Sequence, residues 1–120
     1  MAQTIEALLR GNLHGVFGEH DPQKRRHNIA RLWAEDGVFI DQTGRYEGHS
    51  GVDGAVASLV EKIPSFVFIE RALQAFNGVG KIDWGSGPAG EEPVVTGSNV
   101  LVTKGDKIGA LYTFVDPPKK

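Results

Sequence analysis

The first third of the chain places apolar residues three and four positions apart, the pattern of helices with one buried face. Ile5, Leu8, Leu9, Leu13, Val16 and Phe17 fall on one side of a single helix, in which Gly11 and Gly15 each cost about 1 kcal/mol relative to alanine. Asp21-Pro22 opens a second helix, an N-cap acceptor followed by a proline whose missing N–H is no loss in the first turn, and this helix buries Ile29, Leu32 and Trp33. A third runs from Ser50 through Val52, Val56, Leu59, Val60 and Ile63 until Pro64 stops it, with Asp53 three residues after Ser50 as a capping-box variant.

Elsewhere the pattern is that of strands. Val38-Phe39-Ile40-Asp41 is too short and too β-branched for a helix and ends in the turn-like Gln42-Thr43-Gly44-Arg45. It reads as a short strand with Phe39 and Asp41 on one face and Val38 and Ile40 on the other. Beyond Pro64, strands are predicted over 66–76, 79–84, 94–103 and 107–115. They are separated by Asn77-Gly78, by the Gly-rich segment 85–93 and by Lys104-Gly105-Asp106, the signals of a meander. Helices first and strands after predict an α+β fold: three N-terminal helices on the concave face of a strongly curved, mainly antiparallel sheet of four long strands and the short one. Residues 1–116 form one domain in this reading, and the charged proline tail 117–120 frays. Flat helices leave a gap at one end of a curved sheet, where a pocket for a small molecule would form.

Composition narrows the partners. With 13 Lys+Arg against 15 Asp+Glu the net charge is −2, which offers no basic field for nucleic acid. No stretch approaches the roughly 20 apolar residues of a membrane span. The chain has no cysteine, so disulfides, thiol nucleophiles and thiolate metal sites are excluded. The start MAQTIEALLRG lacks the positive flank and apolar run of a secretory signal, and a cytoplasmic location is expected.

Among ionisable residues Asp41 is the most informative. An acidic side chain at the end of an apolar strand, on the face of Phe39, is expected to be partly desolvated, which raises a carboxylate's basicity and suits it to proton transfer. The alternative is that Asp41 caps the turn at Thr43-Gly44. Asn99, in register with Gly97 and Leu101, is a polar residue in an apolar strand and must be hydrogen-bonded to a neighbour or to a bound carbonyl if it faces inward. Trp33, Trp84 and Tyr112 suit either core or pocket wall, since their polar atoms need partners when buried. His14, His20, His27 and His49 show no ligand spacing, and the glycines form no GxGxxG or P-loop pattern, so neither a metal nor a cofactor is expected. Lys24, Arg25, Arg26 and Arg31 are read as a solvated helix face, and Gly85-Ser86-Gly87 as a hairpin signal rather than a nucleophile elbow.

Taken in order, these pieces resemble the nuclear-transport-factor-2-like superfamily and, within it, the SnoaL-like and ketosteroid-isomerase-like single-domain proteins. The resemblance rests on 32–41 (LWAEDGVFID), on Gly48 and the helix through Gly51-Val52-Asp53-Gly54-Ala55-Val56, on 79–84 (VGKIDW) and on 107–116 (KIGALYTFVD). It implies a cone-shaped, cystatin-like α+β roll around a deep pocket, and often a homodimer. Against ketosteroid isomerase it places Asp41 on the general-base aspartate and Asn99 on the oxyanion-donating carboxylic acid. The isomerase's phenolic donor falls near Gly15, with His14, Val16 and Phe17 as neighbours and no tyrosine. The expectation is a small apolar or aromatic ligand bearing a carbonyl or hydroxyl, with His14, Phe17, Trp33, Phe39, Trp84 and Tyr112 around it. Asp41 and Asn99 would carry an isomerase, cyclase or lyase step; the alternative is a non-catalytic binding or dimeric interaction module of the same fold.

Overall fold

In the computed structural model, which describes residues 3–117, Thr4 caps the first helix by accepting the Ala7 N–H at 3.0 Å. This helix, α1 (Ile5–Asn12), is shorter than its apolar pattern suggested, because Leu13–Phe17 widens into a π-helical turn. Helix α2 (Pro22–Leu32) starts where the sequence places it, with the Asp21 carboxylate accepting from the N–H groups of Gln23 and Lys24. Helix α3 (Gly48–Lys62) begins two residues before the expected Ser50. Asp53 does not cap it; its carboxylate is taken by Arg25 and Arg26 of α2.

The sheet has six strands: β1 (Trp33–Asp41), β2 (Gly44–Glu47), β3 (Phe66–Phe76), β4 (Val79–Pro88), β5 (Val95–Lys104) and β6 (Lys107–Val115). The order across it is β2-β1-β6-β5-β4-β3, with β1 and β6 parallel and every other pair antiparallel. Three findings differ from the sequence reading. Trp33 opens β1 rather than closing α2. Gly44–Glu47 is a strand, returning on β1 in a hairpin. Gly85-Ser86-Gly87 continues β4, hydrogen-bonded to β3, instead of turning. Asn77-Gly78 does form the hairpin turn, with both residues at positive φ (47° and 82°), which an Asn-Gly pair adopts more readily than other residues.

Curvature has an identifiable source. The register slips between Glu70 and Leu73 on β3, at Gly109 on β6 opposite Val102 and Thr103, and between Trp33 and Val38 on β1, and an unpaired residue bends a strand and increases its twist. The helices fill most of the concave face. Leu8, Leu9, Leu32, Val52 and Val56 meet Ile82, Leu101 and Leu111 in a core from which water is excluded. Arg25 is a correction to the solvated basic face: it is 2% exposed and held by Asp53. Among the described residues, no helix is long and apolar enough to cross a membrane. Of the expected fraying tail, residues 118–120 lie outside the described part; Asp116 is tied to Thr96 through backbone and side chain.

Candidate active site

Where the helices stop short of the sheet, a cavity of about 340 Å³ remains. Its roof is the π turn, through Leu13 and Phe17, and the C-terminal end of α3, through Leu59 and Ile63. Its floor is the concave face of the sheet: Phe39 and Asp41 from β1, Thr113 and Val115 from β6, Val95 and Asn99 from β5, Trp84 and Ser86 from β4, Phe66 and Phe68 from β3. Each strand contributes alternate residues, as the two-residue period of a pleated strand requires. The cavity is therefore a consequence of strand register, with the π turn setting how far the roof reaches down. Two edge-to-face aromatic pairs stiffen opposite walls, Phe17 on Phe39 with centroids 5.1 Å apart and Phe68 on Trp84 at 5.4 Å.

Asp41 caps its turn, as one of the two sequence readings had it, and also stands in the cavity wall. Its Oδ1 caps the turn, accepting the Thr43 N–H at 2.8 Å and the Thr43 hydroxyl at 2.6 Å, and its side chain lines the cavity. The Thr43 hydroxyl has one proton and gives it to the carboxylate, so the Tyr46 phenol 2.7 Å away donates to Thr43. Tyr46, opposite Phe39 on β2, stacks on that ring. The carboxylate is thus fixed by one oxygen, while Oδ2 has no protein partner among the described residues.

Asn99 is 4% exposed. Its Oδ1 accepts the Trp84 indole N–H at 3.0 Å and the Thr113 hydroxyl at 2.8 Å. Asp41, Thr113 and Asn99 lie in one row across β1, β6 and β5. Thr113 stands directly opposite Asn99 and one step beyond the Ile40–Tyr112 pair. Asp41 and Asn99 are therefore two strands apart, about 10 Å along the sheet. Curvature tips their side chains toward the same space. Among the lining residues Asp41 is the only ionisable one. A negative group in an apolar enclosure without a cation repels anionic ligands and accepts neutral ones or proton donors.

The structure thus brings Asp41, Asn99, Phe17, Phe39 and Trp84 together and places three other expected residues elsewhere. Trp33 is in the core, its indole N–H donated to Asn12 at 2.9 Å. His14 lies half-exposed on the outside of the π turn, with Nε2 3.1 Å from Glu70, which Arg10 also contacts. Burial pushes the Glu70 carboxyl up, but hydrogen bonds from His14 and Arg10 and their charge hold it below the usual carboxylate range. Tyr112 stands on the convex face, 37% exposed, opposite Val100. Thr113 takes the inward position that Tyr112 was expected to hold. Thr113, Gln42, Thr43 and Ser86 are the polar lining residues that sequence reasoning missed; for Thr113 the alternation of Leu111, Thr113 and Val115 was the available signal. Among the described residues, no three His, Asp or Glu side chains gather as a metal site would require.

The shape of the whole chain can be compared with solved structures. A candidate isomerase of the SnoaL-like family from Agrobacterium tumefaciens superposes with a TM-score of 0.86 at 20% identity, over 93% of this chain and 97% of that one. This is a SnoaL-like fold. A candidate SnoaL-like polyketide cyclase from Jannaschia matches at a TM-score of 0.77 and 14% identity, over 93% and 84% of the two chains. A Catenulispora acidiphila protein with a ketosteroid isomerase-like fold, solved in complex with trimethylamine, matches at 0.73 and 18%, over 92% and 86%. No protein-family model and no curated protein matches the sequence. The SnoaL-like architecture is accordingly carried by shape, as the order of elements in the sequence implied, while identities of this size leave the chemistry to the site itself.

Proposed function

We propose that this SnoaL-like protein binds a small, largely apolar, uncharged molecule bearing a carbonyl or hydroxyl, and uses Asp41 as general acid/base in an isomerisation, cyclisation or related lyase step. The observation that carries this reading is the convergence of the Asp41 carboxylate and the Asn99 amide on a mainly apolar and aromatic cavity. Proton abstraction beside a carbonyl creates an enolate-like charge, and a donor already placed at the oxygen lowers the cost of forming it. Asn99 supplies that donor, more weakly than a carboxylic acid would. Phe17, Phe39 and Trp84 hold the ring or chain of the ligand. The similar folds of a candidate isomerase and a candidate cyclase support the reaction class, and the trimethylamine complex supports a small-molecule site.

The test is exchange of α-hydrogens for deuterium in 1-indanone, followed by proton NMR. Wild-type protein is expected to accelerate exchange, and Asp41→Asn to remove about 10²–10⁴-fold of that acceleration, the usual worth of a positioned base. Exchange at the wild-type rate in Asp41→Asn would move the protein to the second reading, a binding module without catalysis.

Under either reading, one feature of the outside supports self-association. On the convex face Val38, Ala110, Val102, Val79 and Phe76 form an apolar row across five strands, beside Ile40, Tyr112 and Val100. Phe114 and Phe76 are each 62% exposed there. A face of this kind on a small protein is an association surface, and a homodimer through it is the arrangement we propose. Light scattering is expected to give twice the chain mass, and Phe114→Glu a monomer with its cavity intact. A wild-type monomer at working concentration would refute the dimer.

A further inference from the structure

We propose that Trp84 and Thr113 are positioning residues that lock the Asn99 carboxamide with its NH2 toward the cavity, so that the site selects ligands presenting a hydrogen-bond acceptor at that point. The inference deepens the binding reading above and rests on it. The orientation of an asparagine amide follows from the chemistry of its neighbours. An indole N–H donates and never accepts, so the amide atom 3.0 Å from Trp84 Nε1 must be oxygen. The Thr113 hydroxyl reaches the same oxygen at 2.8 Å. Two donors fill the two lone pairs of Oδ1 and leave it nothing to accept from a ligand.

The opposite side of the amide is free. Nδ2 has no protein partner among the described residues, yet it is not sealed off from solvent-sized space as the Asn12 amide nitrogen is, and the space that Asn99 lines is the cavity. Trp84 is itself held in place, edge-on to Phe68 and lying over Gly97, its cross-strand partner, where a β-carbon would stand 2.6 Å from its ring. Because the Thr113 proton is spent on Asn99, that hydroxyl shows the cavity only lone pairs, and Asp41 beyond it does the same. The row across the floor therefore reads acceptor at Asp41, acceptor at Thr113 and donor at Asn99. A complementary ligand places its carbonyl oxygen over Asn99 and an O–H, N–H or acidic C–H toward Asp41.

Two probes of nearly equal shape test this, 1-indanone and indane, each small enough for the cavity. In the wild type, 1-indanone is expected to shift the side-chain NH2 signal of Asn99, assigned by its absence in Asn99→Asp, and indane to leave it unmoved. The preference for 1-indanone over indane, measured by titration, is expected to fall about tenfold in Asn99→Leu, the worth of one matched hydrogen bond. It is expected to fall at least threefold in the Trp84→Phe/Thr113→Val double variant, where the amide is free to turn, and to persist in Thr113→Ser. An unmoved NH2 signal with 1-indanone bound, or an unchanged preference in Asn99→Leu, would overturn the proposal while leaving the apolar cavity standing. Failure of both probes to bind would instead refute the binding reading, and this inference with it. The wild-type NMR result decides the matter even if the double variant does not fold.

Discussion

Truncating Asp53 to alanine is expected to lower the stability of the fold by about 3–5 kcal/mol, the cost of leaving a buried charge without its partner. Arg25 is 2% exposed, its Nε donates to Asp53 Oδ1 at 2.7 Å, and its other contact is the Glu19 carbonyl at 3.1 Å. Arg26 takes the second carboxylate oxygen at 3.0 Å, so a single acidic residue on α3 clamps two arginines of α2. Removal leaves a guanidinium that can neither reach water nor find another anion. A fall in Tm of roughly 10–25 °C follows for a chain of this length.

The same pair predicts a pH signature. Burial pushes the Asp53 carboxyl up, but hydrogen bonds from Arg25 and Arg26 and their charges outweigh it, and the net shift is downward. A carboxyl whose folded pKa lies below its unfolded value of about 3.9 adds stability that is complete above about pH 5 and is lost as pH falls through the folded value. The stability difference between wild type and Asp53→Ala, measured by urea unfolding, should therefore shrink as pH is lowered below about 5. A difference independent of pH would show that Arg25 is satisfied in some other way.

Gly97→Ala is expected to cost about 3 kcal/mol, at the upper end of overpacking penalties, and to disturb the cavity floor as well. A β-carbon there would stand 2.5 Å from the Phe114 carbonyl oxygen and 2.6 Å from Trp84 Cζ2. The carbonyl belongs to the β6 backbone and cannot yield without opening the sheet, so the indole has to move and its hydrogen bond to Asn99 is lost. The variant should melt lower and should also bind 1-indanone with less preference over indane. Stability within 0.5 kcal/mol of wild type would mean that the sheet accommodates the methyl group and that Gly97 is not what seats Trp84.

Local rules made much of this molecule legible. Asp21-Pro22 started α2, Asn77-Gly78 turned β3 into β4, and the alternation of Phe39 with Asp41 put the carboxylate on the inner face, because each depends only on a few neighbouring residues. Errors arose where register is set at a distance. From Lys104-Gly105-Asp106 outward, an unbroken hairpin pairs Lys104 with Lys107 and Thr103 with Ile108, and would continue to pair Asn99 with Tyr112. The slip after Val102 pairs it with Ala110 and Asn99 with Thr113, and one residue of slip exchanges the faces of a strand. This is why Tyr112 is outside and Thr113 is in the site. The slip also lets Ile108 and Leu111, three residues apart, both be buried.

Arg25 is a second case of the same kind. Its helix position next to Lys24 and Arg26 says solvent; only the packing of α3 against α2 supplies the Asp53 carboxylate that makes burial tolerable. What the sequence determined by itself was the class of fold, the order of its three helices and long strands and the side of β1 on which Asp41 stands, all of which follow from period and turn chemistry over short stretches. What only the tertiary structure decided was which residues share the cavity with Asp41, because strand register after a bulge, the seating of the helices on the sheet and cross-strand hydrogen bonds are set by how whole elements pair and pack.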